Sequence, residues 1–360
     1  MGFVAQACYP HPSQADGEEF CIFLNLDFND GRGLSILIQP SALPELVWHH
    51  AVLDSRRRVF SAPDRKTNPW KAGDIRGKNR GSVTATRKLG ISDLVFYAHP
   101  LLIVTGEHSW PEEIWGEVLQ NMVDVLPYES RQRVSKMYGL GETTSEWFRS
   151  VFDLSGFDLG IGPDDFGATV IIPEAAAFRH NCRPNVVWHM DAQTLEFHMY
   201  PLREISKGEE LTISYISVVA EWEERQNVLK EFYNLSCTCA QCRLPPPERE
   251  RADNQIRRIL DIHDVLANWN TGSNASIEMA EELITLHKLQ KLDQDLPEAY
   301  CFAAREYNAV GNVRKARQYA SLALNKAIYI HGNGWRMAQD AKKLESFPEN
   351  HWSHQRRLQV

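Results

Sequence analysis

Four of the seven cysteines in this chain constrain its fold more than any other residues. Cys237, Cys239 and Cys242 form a C-x-C-x-x-C run (CTCAQC), and Cys182 lies upstream in RHNCRPN. Zinc takes four thiolate or imidazole ligands in a tetrahedron, so a run of three leaves one corner to be filled from elsewhere. A metal shared by Cys182 and the run would pin a late segment of the chain over whatever lies between them. The bland alternative is two buried cysteines and a free thiol. The proline-rich sequence after the run and the motif around Cys182 favour the metal. Cys8, Cys21 and Cys301 show no partner spacing and read as ordinary small apolar residues.

An odd cysteine count with four in one pattern fits a reducing compartment rather than a disulfide framework. The expected location is therefore intracellular, in the cytoplasm, the nucleus or both. The net charge of −8 comes from 39 basic and 47 acidic residues, with no basic stripe of the kind that binds nucleic acid directly. No apolar run reaches membrane-spanning length, and the N-terminus lacks the basic and apolar regions of a secretory signal. Gln6 stands where a myristoylation motif needs Ser or Thr. The 360 residues allow one large domain, or one domain with an appended module.

Along the chain, FCIFLNLDF (20–28) and GLSILIQP (33–40) read as strands around the turn chemistry of NDGRG. Residues 41–73 turn polar and read as a loop or linker. Strand-like patterns resume at DIRGKNRGSVTATRKL and SDLVFYAHPLLIV. WPEEIWGEVLQNMVDVL opens a helical stretch over 110–150, with Pro111 and two glutamates in its first turn. Short strands return at FGATVII, NVVWHMD, LEFHMYPL and LTISYI. After the proline break LPPPER the pattern is helical: Ile256, Ile259, Leu260 and Leu266 share a spacing, as do Ile277, Ala280, Leu283 and Ile284. Residues 297–328 read as two amphipathic helices joined at Gly311, similar to a tetratricopeptide hairpin.

The order GKNRGSVTAT, RHNCRPN, KGEELTISY, CTCAQC resembles a SET-domain protein, and more narrowly the SMYD-related branch found in fungi. The extra Cys/His cluster of the MYND finger is missing from the sequence. The resemblance covers residues 74–245. It implies an α+β fold: several small antiparallel sheets around a knot-like crossing, with a C-terminal TPR-like helical domain. The implied division is a β-containing segment over 1–73, a SET domain over 74–235 with a helical insert at about 107–160, a post-SET zinc segment over 236–249, and helices over 250–360. The implied activity is methyl transfer from S-adenosylmethionine to a lysine of a protein, a histone tail or another substrate.

Residue by residue, the resemblance places Tyr215 beside the methyl-transfer point and Tyr233 in the lysine channel. Phe232 competes with Tyr233 for that place. Gly77, Lys78, Asn79, Arg80 and Gly81 match the glycine-rich turn against the cofactor. His180 and Asn181 flank the crossing whose backbone would hold it, with His180 in a structural role. Cys182, Cys237, Cys239 and Cys242 match the structural Zn2+ site. His49, His50, His99, His189 and His198 show no ligand spacing.

Three positions depart from the family pattern. Arg179 stands where an asparagine contacts the cofactor, and a guanidinium cannot mimic an amide. Asn79 replaces a glycine of the turn, and Ser92 another glycine. These departures keep two alternatives open. One is a SET fold that no longer methylates and acts as a binding scaffold. The other is a pocket repurposed for a small molecule, as in fungal secondary metabolism, with Arg179 acting on negative charge.

Overall fold

The computed structural model describes residues 2–11, 17–49, 69–73, 81–106, 110–161, 166–191, 194–270 and 272–358. The chain divides into two compact units. The first gathers Met1–Thr86, Val95–Arg179 and Met190–His198. The second gathers Arg87–Leu94, His180–His189 and Met199–Val360.

The strands are β1 (Phe3–Tyr9), β2 (Phe20–Asn25), β3 (Leu34–Ile38), β4 (Trp70–Ala72), β5 (Val83–Ala85), β6 (Phe96–Ala98), β7 (Leu102–Thr105), β8 (Gly156–Ile161), β9 (Phe166–Ile171), β10 (Arg179–His180), β11 (Val186–Asp191), β12 (Glu196–Pro201) and β13 (Glu210–Ile213). The helices are α1 (Leu43–His49), α2 (Glu112–Asp124), α3 (Tyr128–Val134), α4 (Thr144–Ser155), α5 (Trp222–Tyr233), α6 (Pro246–Ala267), α7 (Ile277–Leu289), α8 (Leu296–Ala309), α9 (Val313–Ile330) and α10 (Ala338–Ser346). Several small sheets with a helical C-terminal region make this a mixed α+β fold.

A six-stranded sheet in the order β1-β2-β3-β7-β9-β8 organises the first unit. β3 is buried along its whole length and pairs in parallel with β7, Ser35 against Leu102 and Leu37 against Val104. A strand hydrophobic on both faces suits an interior position of this kind. The N-terminal strands therefore share one sheet with residues past 100. The turn before β3 places Asn29 and Asp30 at positive φ, and Gly33 at φ +79°. A Cβ at Gly33 would stand 2.6 Å from a Pro127 ring carbon, so the turn and the close approach both select glycine.

Helices α2 to α4 cover this sheet, packing Val118, Leu119, Met122 and Val151 against Ile22, Leu37 and Val104. The helical stretch is three helices because Pro127 and the Gly139–Gly141 region interrupt it. α4 starts with a capping box: the Thr143 hydroxyl accepts from the Glu146 N–H, and the Glu146 carboxylate accepts from the Thr143 N–H. Glu174 takes a bidentate pair from Arg32 and a third contact from Arg133, all at 2.7–2.8 Å. His99 is wholly buried between Phe28 and Tyr97, and burial pulls it down to about 4, so it is neutral at physiological pH.

Two expectations are corrected here. Cys8 and Cys21 are bonded to each other, facing across β1 and β2. Their pairing follows from the register of two strands, which carries no spacing signature. Residues 43–49, expected as loop, form the short helix α1, whose Leu43, Leu46 and Val47 are buried. The polar sequence that follows hides this brief apolar periodicity.

The second unit is mostly helical. α6 begins at the proline break, with proline at its first position. Ile256, Ile259, Ile262 and Leu266 face Ala280, Leu283, Ile284, Ala299, Ala303 and Ala323 in one core. Leu260 sits at the edge of that stripe and is exposed. α8 and α9 meet at Gly311, which adopts φ +78° as a left-handed helix terminator. No helix among the described residues is long and apolar enough to cross a membrane.

Candidate metal and cofactor site

The residues singled out between 180 and 242 come together within the second unit. α5 ends where the sequence reads Tyr233-Asn234: Asn234 adopts φ +47°, and the N–H groups of Asn234 and Leu235 both return to the Leu229 carbonyl. That left-handed stop turns the chain into the cysteine run and leaves Tyr233 on the last helical turn. Its hydroxyl donates to the main-chain oxygen of Tyr215 at 3.0 Å, and the two rings lie 5.2 Å apart, tilted by 38°. Tyr215 follows β13. Its N–H donates to His180 Nδ1 at 3.1 Å, and the Asn181 N–H donates to Ile213 O at 2.9 Å. Both tyrosines are half-buried against the cysteine cluster. Phe232 points outward and is 60% exposed.

The sulfurs of Cys182, Cys237, Cys239 and Cys242 all lie within 4.8 Å of one another. Cys182 Sγ is 3.4 Å from Cys242 Sγ and 3.9 Å from Cys237 Sγ. Tetrahedral zinc with bonds of about 2.3 Å needs sulfur separations of about 3.8 Å, so the donor set fits that ion. Contacts with the other three cysteines, with burial, push the Cys182 thiol up. The sulfurs of Cys182, Cys237 and Cys242 hold Cys239 below the ordinary thiol range. Four thiols so close cannot all ionise without a cation among them, and a dication removes that conflict. Leu229, Trp222, Tyr215 and Tyr233 pack around the cluster, the Trp222 indole N–H donates to Cys242 O at 3.2 Å, and Gln226 donates to Cys237 O at 3.3 Å.

His180 is committed to the scaffold. Its Nδ1 accepts from Tyr215, and its Nε2 lies 3.3 Å from Cys182 Sγ. It therefore ties the tyrosine strand to the sulfur cluster. Asn181 Oδ1 accepts from the Arg183 N–H at 2.9 Å, closing a local turn. Asn185, the last residue of RHNCRPN, is buried and fully used: its amide donates to Glu209 Oε1 and Glu210 O, and its oxygen accepts from the Thr212 N–H. It fixes the start of β13 and hence the position of Tyr215.

Arg179 is the last residue of a segment of the first unit and is exposed. Gly77, Lys78, Asn79 and Arg80 lie outside the described residues. The turn containing Ser92 persists without its glycine, because Asp93 Oδ2 accepts from the Gly90 N–H at 2.7 Å and from Arg87.

Sequence reasoning gave Arg183 no role. Its side chain makes four hydrogen bonds. Burial draws its pKa down to about 10, with Arg225 adding to the fall and the nearby cysteines opposing it. An arginine directly after a ligand cysteine was the available signal.

Residues 81–216 match the SET domain. Cys182 and Tyr215 fall inside the match, while Tyr233 and the cysteine run follow it. The chain is similar to a SET domain-containing protein of Dictyostelium discoideum, 42% identical over 69 residues, covering 19% of this chain and 17% of that protein. It is similar to the N-lysine methyltransferase SMYD2-B of Xenopus laevis, 31% identical over 145 residues, covering 40% of this chain and 32% of the relative. Against human N-lysine methyltransferase SMYD2 it is 30% identical over 93 residues, covering 26% and 21%. The aligned parts thus span a third or less of these curated relatives.

Proposed function

We propose that this protein transfers a methyl group from S-adenosylmethionine to a lysine side chain of a protein substrate. The paired rings of Tyr215 and Tyr233 beside the cysteine cluster carry the reading. The SET domain and the likeness to proteins named N-lysine methyltransferases support it. Electron-rich ring faces attract cations, and a sulfonium is one, so these residues fit such a ligand.

S-adenosylmethionine, when bound, supplies a methyl group on a positively charged sulfur, which leaves without acid catalysis. The chain's residues have the remaining work. Tyr215 orients the amine through its hydroxyl and its neighbouring main chain. Tyr233 walls the approach and holds the Tyr215 backbone. An apolar aromatic sleeve disfavours the ammonium and so lowers the lysine pKa toward the neutral, nucleophilic form. The proton lost from the ammonium would go to water, leaving a neutral amine for Tyr215 and Tyr233 to position. In this reading the main chain around His180 and Asn181 would form the cofactor side, as the resemblance assigns it. Zinc held by the four cysteines would be structural and would keep Tyr233 in register.

In the same reading the chain is a fungal SMYD-related protein without a MYND finger, with a post-SET zinc segment and a TPR-like tail. It acts inside the cell, in the cytoplasm or nucleus, on a histone or another protein, with no direct nucleic-acid contact. The test is calorimetric titration with S-adenosylmethionine, followed by radiolabelled transfer to lysine peptides and whole histones. Binding in the micromolar range and label on lysine are expected. No binding at millimolar ligand removes the reading and leaves the scaffold alternative; binding with transfer only to small molecules selects the other.

A further inference from the structure

Arg183 follows a cysteine of the cluster and projects into the second unit. Its Nη1 donates to the main-chain oxygens of Cys182 at 2.7 Å and Val218 at 3.1 Å. Its Nε donates to Gln290 O at 2.5 Å, and its Nη2 to Gln290 Oε1 at 3.0 Å. Gln290 immediately follows α7, and Lys291 turns the chain at φ +54°. The guanidinium fork thus lands on the negative end of a helix, where a cation is favoured. Gln290 is itself buried. Its Nε2 donates to Gln255 Oε1 of α6 at 2.5 Å, and its Oε1 also accepts from Gln241 Nε2 at 3.4 Å. Gln241 lies between Cys239 and Cys242. Both arms of the cysteine cluster, one through Arg183 and one through Gln241, therefore converge on a single glutamine of the helical region.

We propose that Arg183 and Gln290 couple metal occupancy of the four-cysteine cluster to the seating of α6 and α7 against it. This rests on the reading that the cluster holds zinc. A metal fixes the separation of Cys182 from the 237–242 run, and with it the spacing of Arg183 and Gln241 that Gln290 bridges. A seated Gln290 in turn holds the two arms together before the metal arrives, so less order remains to be imposed on binding. Linkage makes the two effects equal: whatever factor α7 lends to metal affinity, the metal lends to α7.

The test uses the full chain with Zn2+ alone as ligand, titrated against a chromophoric chelator, and hydrogen exchange over residues 283–292 with and without chelator. Gln290→Leu removes the side-chain acceptor and the bond to Gln255. Its zinc affinity is expected to fall between about 5- and 150-fold, the ordinary span of such coupling. Gln290→Glu keeps both acceptors for Arg183 and is expected to retain the parent affinity. Arg183→Lys, which cannot span four acceptors, should resemble Gln290→Leu. In the unmodified protein, chelation should speed exchange at the end of α7. That arm needs no variant, so it decides the matter even if Gln290→Leu fails to fold. A parent without stoichiometric zinc overturns the metal reading and the coupling with it. A zinc-bound parent whose α7 exchange ignores chelation, or a Gln290→Leu that binds zinc as tightly as the parent, overturns the coupling alone.

Discussion

Replacing Tyr233 by phenylalanine deletes one oxygen and leaves the ring in place. The deleted hydroxyl donates to the Tyr215 main chain at 3.0 Å, an unstrained neutral hydrogen bond. Such a bond contributes about 1 kcal/mol net. In a chain of this size that is about 1–2 °C in melting temperature. If the whole of it is felt in the transition state, methyl transfer slows about fivefold. The hydroxyl is assigned to holding a backbone and not to the reacting atoms, so the loss should fall on kcat while KM for the peptide stays put. Tyr215→Phe, which alters the group beside the methyl, should lose far more, on the order of a hundredfold as for other lost transition-state contacts. Single-turnover transfer and thermal melts of both variants provide the comparison. A Tyr233→Phe loss as large as that of Tyr215→Phe would show the reasoning to be wrong, because the hydroxyl would then be acting on the substrate. No change in either melting or rate would mean the bond does not form.

Other predictions follow from buried charge and sulfur. Burial raises Asp295 to about 7, with Glu298 adding to it and Arg183 opposing. The native state then keeps a proton that the unfolded chain releases, and stability falls as pH rises from about 4 toward 7. Asp295→Asn should therefore stabilise the protein above neutrality, by up to about 4 kcal/mol, and do little near pH 4 in urea melts. Glu174 has the opposite sign. Arg32 and Arg133 hold it below its ordinary 4.5 despite its burial, so Glu174→Gln should cost stability at neutral pH, and the cost should vanish as pH drops through the folded pKa. Cys301 is fully buried with its thiol pushed up to about 12, so iodoacetamide should leave it unmodified in the folded protein, while chelation opens Cys237 and Cys239 to the reagent. Cys182→Ser should lose bound zinc and Cys301→Ser should keep it, measured by atomic emission. Arg179→Asn changes an exposed side chain and should leave melting unchanged. It should tighten S-adenosylmethionine binding by calorimetry; weaker binding would mean that the guanidinium serves the cofactor.

The elements legible in the sequence are those whose signal is local. The β2–β3 pair shows in its alternating and apolar runs around NDGRG, α6 in its proline start, and the α8–α9 hairpin in its small residues around Gly311. The cysteine cluster is legible because metal chemistry restricts both residue type and number. What escaped depends on partners far along the chain. Arg183 meets Gln290 across 107 positions, and nothing in either residue announces the other. Cys8 and Cys21 meet because β1 pairs with β2 in one register, and β1 itself is a mostly exposed strand with little apolar pattern to read. His180 was read as structural from its motif, but only geometry gives it a nitrogen toward Tyr215 and another toward Cys182.

The parallel pairing of β3 with β7 sets where this protein can be cut. A fragment beginning at residue 81, where the SET match begins, discards β1, β2 and β3 together. It strips Ile22, Leu24 and Leu37 from the core shared with Leu102, Val104 and Met122, and it turns the buried β7 into an open edge. Such an edge recruits other strands, so the excised domain is expected to aggregate. The segment that matches the SET domain and the leading strands before it are thus expected to be expressed and lost as one piece.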